Sequence, residues 1–230
     1  MHSWFAKKRT SNLKVWRASL VLVLVASAIG LIAYGGLGIF DKYHVTHEPS
    51  SQVTAAVVTH SSEKPSETKP KSCATDSKED KYPVRISLPS IGASGCIETV
   101  GVDPKNAISA PDNIYVAGWY IKSKPPGETG LSIIDGHISG RYKVDGIFEH
   151  LSKLKTNDKF TVTLASGKVL NYSVVNVESV PLERTIPVLM SQEADITSQL
   201  NLITCGGRYD KATKLYDHRI ITRSKLISSS

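Results

Sequence analysis

Cysteine is scarce: three occur in 230 residues, at positions 73, 96 and 205, and no two share a CxxC spacing. This excludes a zinc ribbon and a dithiol redox motif. His44 and His47 stand three apart, but in a polar stretch with little to hold them around a metal. Acidic residues are too scattered for a calcium site, which needs carboxylates clustered on adjacent loops. Neither a metal nor a cofactor is expected. Surplus charge is also small where a fold is legible. The net charge is +7, but Lys7, Lys8, Arg9, Lys14 and Arg17 crowd the first 17 residues, which hold no acid. From Tyr82 onward 17 Lys and Arg face 14 Asp and Glu, a surplus of three. That is too weak a field to argue for nucleic acid as a partner.

Charge is absent altogether from residues 18–40, ASLVLVLVASAIGLIAYGGLGIF. As a helix this run would extend roughly 34 Å, enough for a bilayer core of about 30 Å. The basic tail before it predicts a cytoplasmic N-terminus and an exported remainder. Ala26-Ser27-Ala28 resembles a signal-peptide cleavage site, but the apolar run continues well past it, so an uncleaved membrane anchor is favoured. Residues 41–81 follow, rich in Ser, Thr, Pro, Lys and Glu with little to bury. They read as a flexible extracytoplasmic linker. The expected organisation is a tail (1–17), an anchor (18–40), a linker (41–81) and one folded domain (82–230).

That domain is expected to be all-β. Val84, Ile86 and Leu88 alternate with Arg85 and Ser87 before Pro89 stops the run, as a strand would. CIETVGV, NIYVAGWY, GLSIIDGH, KFTVTLAS, KVLNYSVVNVESV, LNLITC and HRIITRSKLI supply further β-type runs between turn residues. They predict a closed or nearly closed β-barrel of about eight strands with one or two short helices. Asp145–Leu154, with Ile147, Phe148, Leu151 and Leu154 on one face, and Gln192–Leu200, after a possible Ser191 cap, are the helix candidates.

An odd number of cysteines in an exported domain leaves at least one thiol unpaired. Pairing of Cys73 with Cys96 would leave Cys205 free; the sequence leaves the pairing open. Cys205 ends an apolar run and precedes Gly206-Gly207. It is either a small plug where a buried strand turns or a nucleophile served by a nearby base and an oxyanion stabiliser. Among the histidines, His137 also ends a strand, beside Gly136, whereas His150 sits on an amphipathic segment and His218 starts the last strand. Arg219 heads the run Ile220-Ile221, and Arg208 offers a second guanidinium three residues from Cys205. Each alone is most simply a surface or packing residue. Together they put three reactive side chains at three strand ends.

DGHISG, then LITC, then DHRIITRSKL resemble, in order, the histidine, T-L-x-T-C and arginine motifs of the sortases, cysteine transpeptidases of Gram-positive-type cell surfaces. PVRISLPSIG and IYVAGWY extend the likeness over nearly all of residues 82–227. CGGRYDKATKLYDHR looks closest to the general-purpose, class F/E-like sortases found largely in actinobacteria. The resemblance implies a catalytic trio of Cys205 as nucleophile, His137 as acid and base, and Arg219 as the substrate-carbonyl and oxyanion donor. Thr204 would add a hydroxyl contact, and Leu182, Ile186 and Val188 an apolar wall for the Leu-Pro part of the signal. The implied partners are an LPxTG-like sorting signal of secreted proteins and an amine acceptor, either a peptidoglycan precursor or a pilin lysine. One departure is Asp135, where the family more often has a small residue; a buried carboxylate there is expected to favour a charged imidazole at His137. A hydrolytic cysteine peptidase and a non-catalytic envelope-binding barrel are the competing readings.

Overall fold

A computed structural model describes residues 64–73, 79–103, 107–141 and 143–230. The basic tail, the apolar run 18–40 and the linker up to residue 63 lie outside them. Among the described residues no helix is long and apolar enough to cross a membrane. Eight strands form: β1 (Pro83–Leu88), β2 (Ala93–Val100), β3 (Ala117–Tyr120), β4 (Gly130–Gly136), β5 (Lys159–Leu164), β6 (Val169–Pro181), β7 (Ser198–Asp210) and β8 (Leu215–Ser229). They close into a barrel in the order β1-β2-β3-β4-β7-β8-β6-β5. The expected all-β closed barrel is therefore what the chain builds.

Two neighbouring pairs, β2–β3 and β4–β7, are parallel. A parallel pair needs a long crossover, and between β4 and β7 that crossover contains β5 and β6. Along β7 side chains alternate. Leu200 and Leu202 join Ile86, Trp119, Ile134, Phe148, Tyr172 and Ile220 in the core cluster that fills the barrel. Ile203 points the other way, into a second cluster with Val100, Ile108, Ile133, Val180, Leu189 and Ile221. β7 is thus buried on both faces from Ser198 to Gly206. Its apolar content accordingly shows no clean alternation.

Both helix candidates turn out otherwise. Asp145–Leu154 forms turns and one 3-10 turn at Leu151–Lys153, although Ile147, Phe148, Leu151 and Leu154 are all buried. Three of its amides are spent outside the segment: Gly146 N–H donates to Ile138 O, Ile147 N–H to Ile114 O and Phe148 N–H to His137 O. Those bonds replace the start of a helical ladder. Gln192–Leu200 is loop followed by strand, because Ser198 and Leu200 pair with Gly130 and Ser132 of β4. The α-helix found among the described residues, α1 (Thr185–Leu189), lies in a stretch with no helical signal. Pro187 is tolerated there because amides in a first turn have no intrahelical acceptor.

Residues 64–73 lie along the 112–115 segment, in a parallel bridge between Ser66 and Asn113. Cys73 is disulfide-bonded to Cys96 on β2, and Cys205 takes no part in a disulfide. The end of the stretch read as linker is therefore fastened to the barrel by backbone pairing and a covalent bond, interactions that composition does not display.

Gly136 ends β4 over the barrel interior. A Cβ there would stand 2.6 Å from Phe148 Cδ2 and 2.8 Å from Ile147 Cγ2. Gly136→Ala is expected to destabilise the fold by about 1–3 kcal/mol through overpacking. A urea midpoint equal to that of the parent would contradict this packing account.

Candidate active site

Strand register brings the reactive residues into one row. The parallel β4–β7 register pairs Asp135 with Ile203. One step on, Thr204 Oγ1 donates to Gly136 O at 2.7 Å. Continued one residue past the end of β4, the same register would set His137 level with Cys205. On the other side of β7, Cys205 pairs directly with Arg219 of β8, and Arg219 pairs with Val180 of β6. Cys205 shares the outer face of the barrel with Ile203, two residues earlier. The two glycines after it have separate causes. A Cβ at Gly206 would meet Ile220 at 2.8 Å, and Gly207 takes φ +75, where the ladder breaks before Tyr209.

His137, Cys205 and Arg219 are all buried, at 3%, 2% and 1% exposure. Desolvation therefore dominates their proton equilibria. Burial pushes the Cys205 thiol up to about 11, against the opposing pull of the Arg219 guanidinium; Asp135 adds a smaller upward push. Burial lowers His137, partly offset by the Pro111 carbonyl and the Asp112 carboxylate. Burial also lowers Arg219, and Cys205 opposes that. Arg219 Nη1 donates to Tyr216 O at 3.2 Å and His218 O at 2.9 Å, which fixes the plane of the guanidinium. His137 Nε2 lies 2.7 Å from Pro111 O. A carbonyl only accepts, so Nε2 carries the proton and Nδ1 is where His137 gains or loses one.

Asp135 corrects an expectation. Its carboxyl is fully buried and held well above the ordinary carboxylate range, first by desolvation. Burial thus favours its neutral form, which weakens any pull on His137 towards an imidazolium. Oδ1 has no hydrogen-bond partner. Gly118, opposite Asp135 on β3 and Glu98 on β2, leaves room for it. Glu98, raised chiefly by burial, accepts the Asp112 amide at 3.2 Å.

The other singled-out residues divide. Arg208 lies beyond the ladder break, 89% exposed in its side chain and 3.9 Å from Asp217. Thr204 faces the barrel interior, its hydroxyl committed to Gly136. Leu182 and Ile186 are half-buried, and Val188 packs on the outer-face cluster. Three polar residues that sequence reasoning passed over fasten their segment. Asn201 Nδ2 donates to Leu189 O at 2.7 Å, and Gln199 Nε2 to Ser191 O at 2.8 Å. Arg223 reaches Ser191 Oγ at 3.0 Å and Glu193 at 3.1 Å. Polar side chains at outward positions of an otherwise buried strand were the available signal. Pro111 left none, because it acts through a backbone carbonyl.

A family model described as the sortase domain matches residues 86–227. The chain belongs to the sortase family. This sortase is similar in structure to sortase C-1 from Actinomyces oris, at 25% identity over 63% of this chain and 71% of that one, TM-score 0.48. Sortase A from Corynebacterium diphtheriae is similar at 25% identity over 65% of this chain and 62% of that one, TM-score 0.47. No match was found among the curated proteins.

Two measurements test the electrostatics of this sortase. Alkylation of Cys205 by iodoacetamide should keep accelerating past about pH 9, since only thiolate reacts; a plateau near neutrality would contradict the raised thiol. For Asp135, the native state holds a proton that the unfolded chain releases. Stability therefore falls as pH rises from the ordinary carboxylate range towards the raised native value. Asp135→Asn should flatten that decline and raise Tm on its alkaline side. An unchanged pH profile of Tm would show that Asp135 is not the group responsible.

Proposed function

We propose that this sortase is a membrane-anchored cysteine transpeptidase that cleaves an LPxTG-like signal and joins the released acyl group to an amine of the cell envelope. The supporting observation is the row formed by His137, Cys205 and Arg219 on three adjacent chain segments. The 18–40 run serves as the anchor, the linker after it as the tether, and the barrel works outside the cytoplasm. Confining enzyme and membrane-held substrate to one layer raises their effective concentration. The general-purpose, class F/E-like assignment fits the CGGRYDKATKLYDHR segment.

Cys205 Sγ, as thiolate, attacks the Thr carbonyl carbon of the signal. The C–N bond to Gly then breaks, and His137 Nδ1 delivers the proton to the departing amine. A thioester remains on Cys205. An incoming amine attacks it, His137 Nδ1 takes the amine's proton, and the sulfur leaves as thiolate. Arg219 faces the oxygen on which charge develops in both halves. With a raised thiol and a lowered imidazole, the thiolate–imidazolium pair is a minority at neutral pH, which favours slow, selective turnover over rapid hydrolysis. Thr204 is a positioning residue, holding the end of β4 level with Cys205. Leu182, Ile186 and Val188 form the Leu-Pro wall, kept in place by Asn201, Gln199 and Arg223. The acceptor is a peptidoglycan precursor amine or a pilin lysine.

The full chain in detergent, given an LPxTG-type peptide and triglycine, should yield the transpeptidation product by mass. Cys205→Ala should abolish it with the fold intact, and Arg219→Ala should lower the rate by about 10²–10³. Hydrolysis unaffected by added amine would make the protein a peptidase. No reaction in the parent chain would leave a binding barrel.

A further inference from the structure

The segment 64–73, KPSETKPKSC, has no apolar side chain to bury beyond two prolines and the bonded cysteine. It is nonetheless seated by four hydrogen bonds. Ser66 N–H donates to Asp112 O at 2.7 Å, and Ile114 N–H donates to Ser66 O at 3.0 Å. Asn113 Nδ2 donates to Thr68 O at 2.8 Å. Arg141 N–H donates to Glu67 Oε1 at 2.8 Å. These contacts fall on two stretches of chain, and the two stretches flank His137. One contains Pro111, whose carbonyl holds His137 Nε2. The other is the loop that leaves His137 and runs to Arg141.

The loop is shaped for the segment. A Cβ at Gly140 would stand 3.0 Å from Glu67 Cδ and 3.1 Å from Ile114 Cδ1. Glycine there lets the Glu67 carboxylate lie against the loop; a Cβ would push that side chain aside. The far end is fixed by the Cys73–Cys96 disulfide, which closes a 23-residue separation onto β2. Closing that loop restricts the detached conformations available to an otherwise polar segment.

We propose that residues 64–73 are a strap that positions His137, with Glu67 as its positioning side chain and the Cys73–Cys96 disulfide as its tie. Glu67 acts through the backbone of the loop after His137, and Ser66 through the strand that carries Pro111. Together they fix the imidazole relative to Cys205. Breaking the disulfide detaches the strap, so His137 is held in place only in the oxidised chain. This inference rests on the transpeptidase reading for its kinetic consequence but not for its structural one.

The test compares the parent full chain in detergent with Glu67→Ala, Glu67→Gln and the double variant Cys73→Ser, Cys96→Ser. Kinetics with the LPxTG-type peptide and triglycine are paired with the His137 imidazole resonances in labelled protein. Glu67→Ala and the double variant should lower kcat about tenfold or more, as misplacement of a reacting group does, with KM unchanged. Both should shift or broaden the His137 resonances. Glu67→Gln keeps an oxygen acceptor for Arg141 N–H and should retain parental kcat and resonances. Parental kcat and unmoved His137 resonances in Glu67→Ala would overturn the proposal, as would an effect confined to KM. If the parent chain transfers no peptide, the transpeptidase reading fails by itself. The His137 resonances then decide the strap: displaced in Glu67→Ala they sustain it, and unmoved they overturn it.

Discussion

The arrangement of this site depends on strand register. The parallel β4–β7 ladder runs towards residue 137 on one strand and residue 205 on the other, and residues 205 and 219 pair because β7 and β8 run antiparallel. A slip of one residue in either ladder would turn an entire set of side chains to the opposite face. The register is guarded by burial on both sides of β7. Leu200 and Leu202 fill the barrel, and Ile203 fills the outer cluster. Thr204 adds a side-chain bond to Gly136, the last residue of β4 before the histidine.

Burial also sets the electrostatic character of the site. Three groups able to carry charge lie within a few per cent of full burial, and for each the largest influence is desolvation rather than a neighbour. The Cys205–Arg219 contact works against that trend without reversing it. Asp135 sharpens the point. A carboxylate beside the thiol would oppose thiolate formation, but the same dry surroundings push this carboxyl towards its protonated form. Asp112, next to Pro111, is the acid whose field opposes the lowering of His137.

Much of this was legible in the sequence, for identifiable reasons. Period-two alternation in β1 and the turn residues between apolar runs marked the strands. The dipeptides Gly136-His137 and Thr204-Cys205, with Arg219 ahead of Ile220-Ile221, marked the ends that meet. The helices were misjudged because local periodicity cannot show where an amide's acceptor lies. Ile147 and Phe148 bond to residues 114 and 137, and Ser198 joins a strand begun at Gly130. The seating of residues 64–73 was hidden for the same reason. Its bonds run from backbone and one carboxylate to partners more than forty residues away. The sulfur bridge at its end was only one of the pairings that three cysteines allow.

The parallel crossover has a consequence for how the molecule is assembled. The strand bearing Cys205 pairs with a segment 68 residues earlier, and only after β5 and β6 have been threaded between them. Contacts of such long range form late, because loop closure must precede any gain from pairing. The bond between cysteines 73 and 96 spans a much shorter loop than any bond from either to 205, so chain entropy favours it during folding. The order of events thus sequesters two sulfurs before the third reaches its strand, and the nascent chain arrives with its thiol intact.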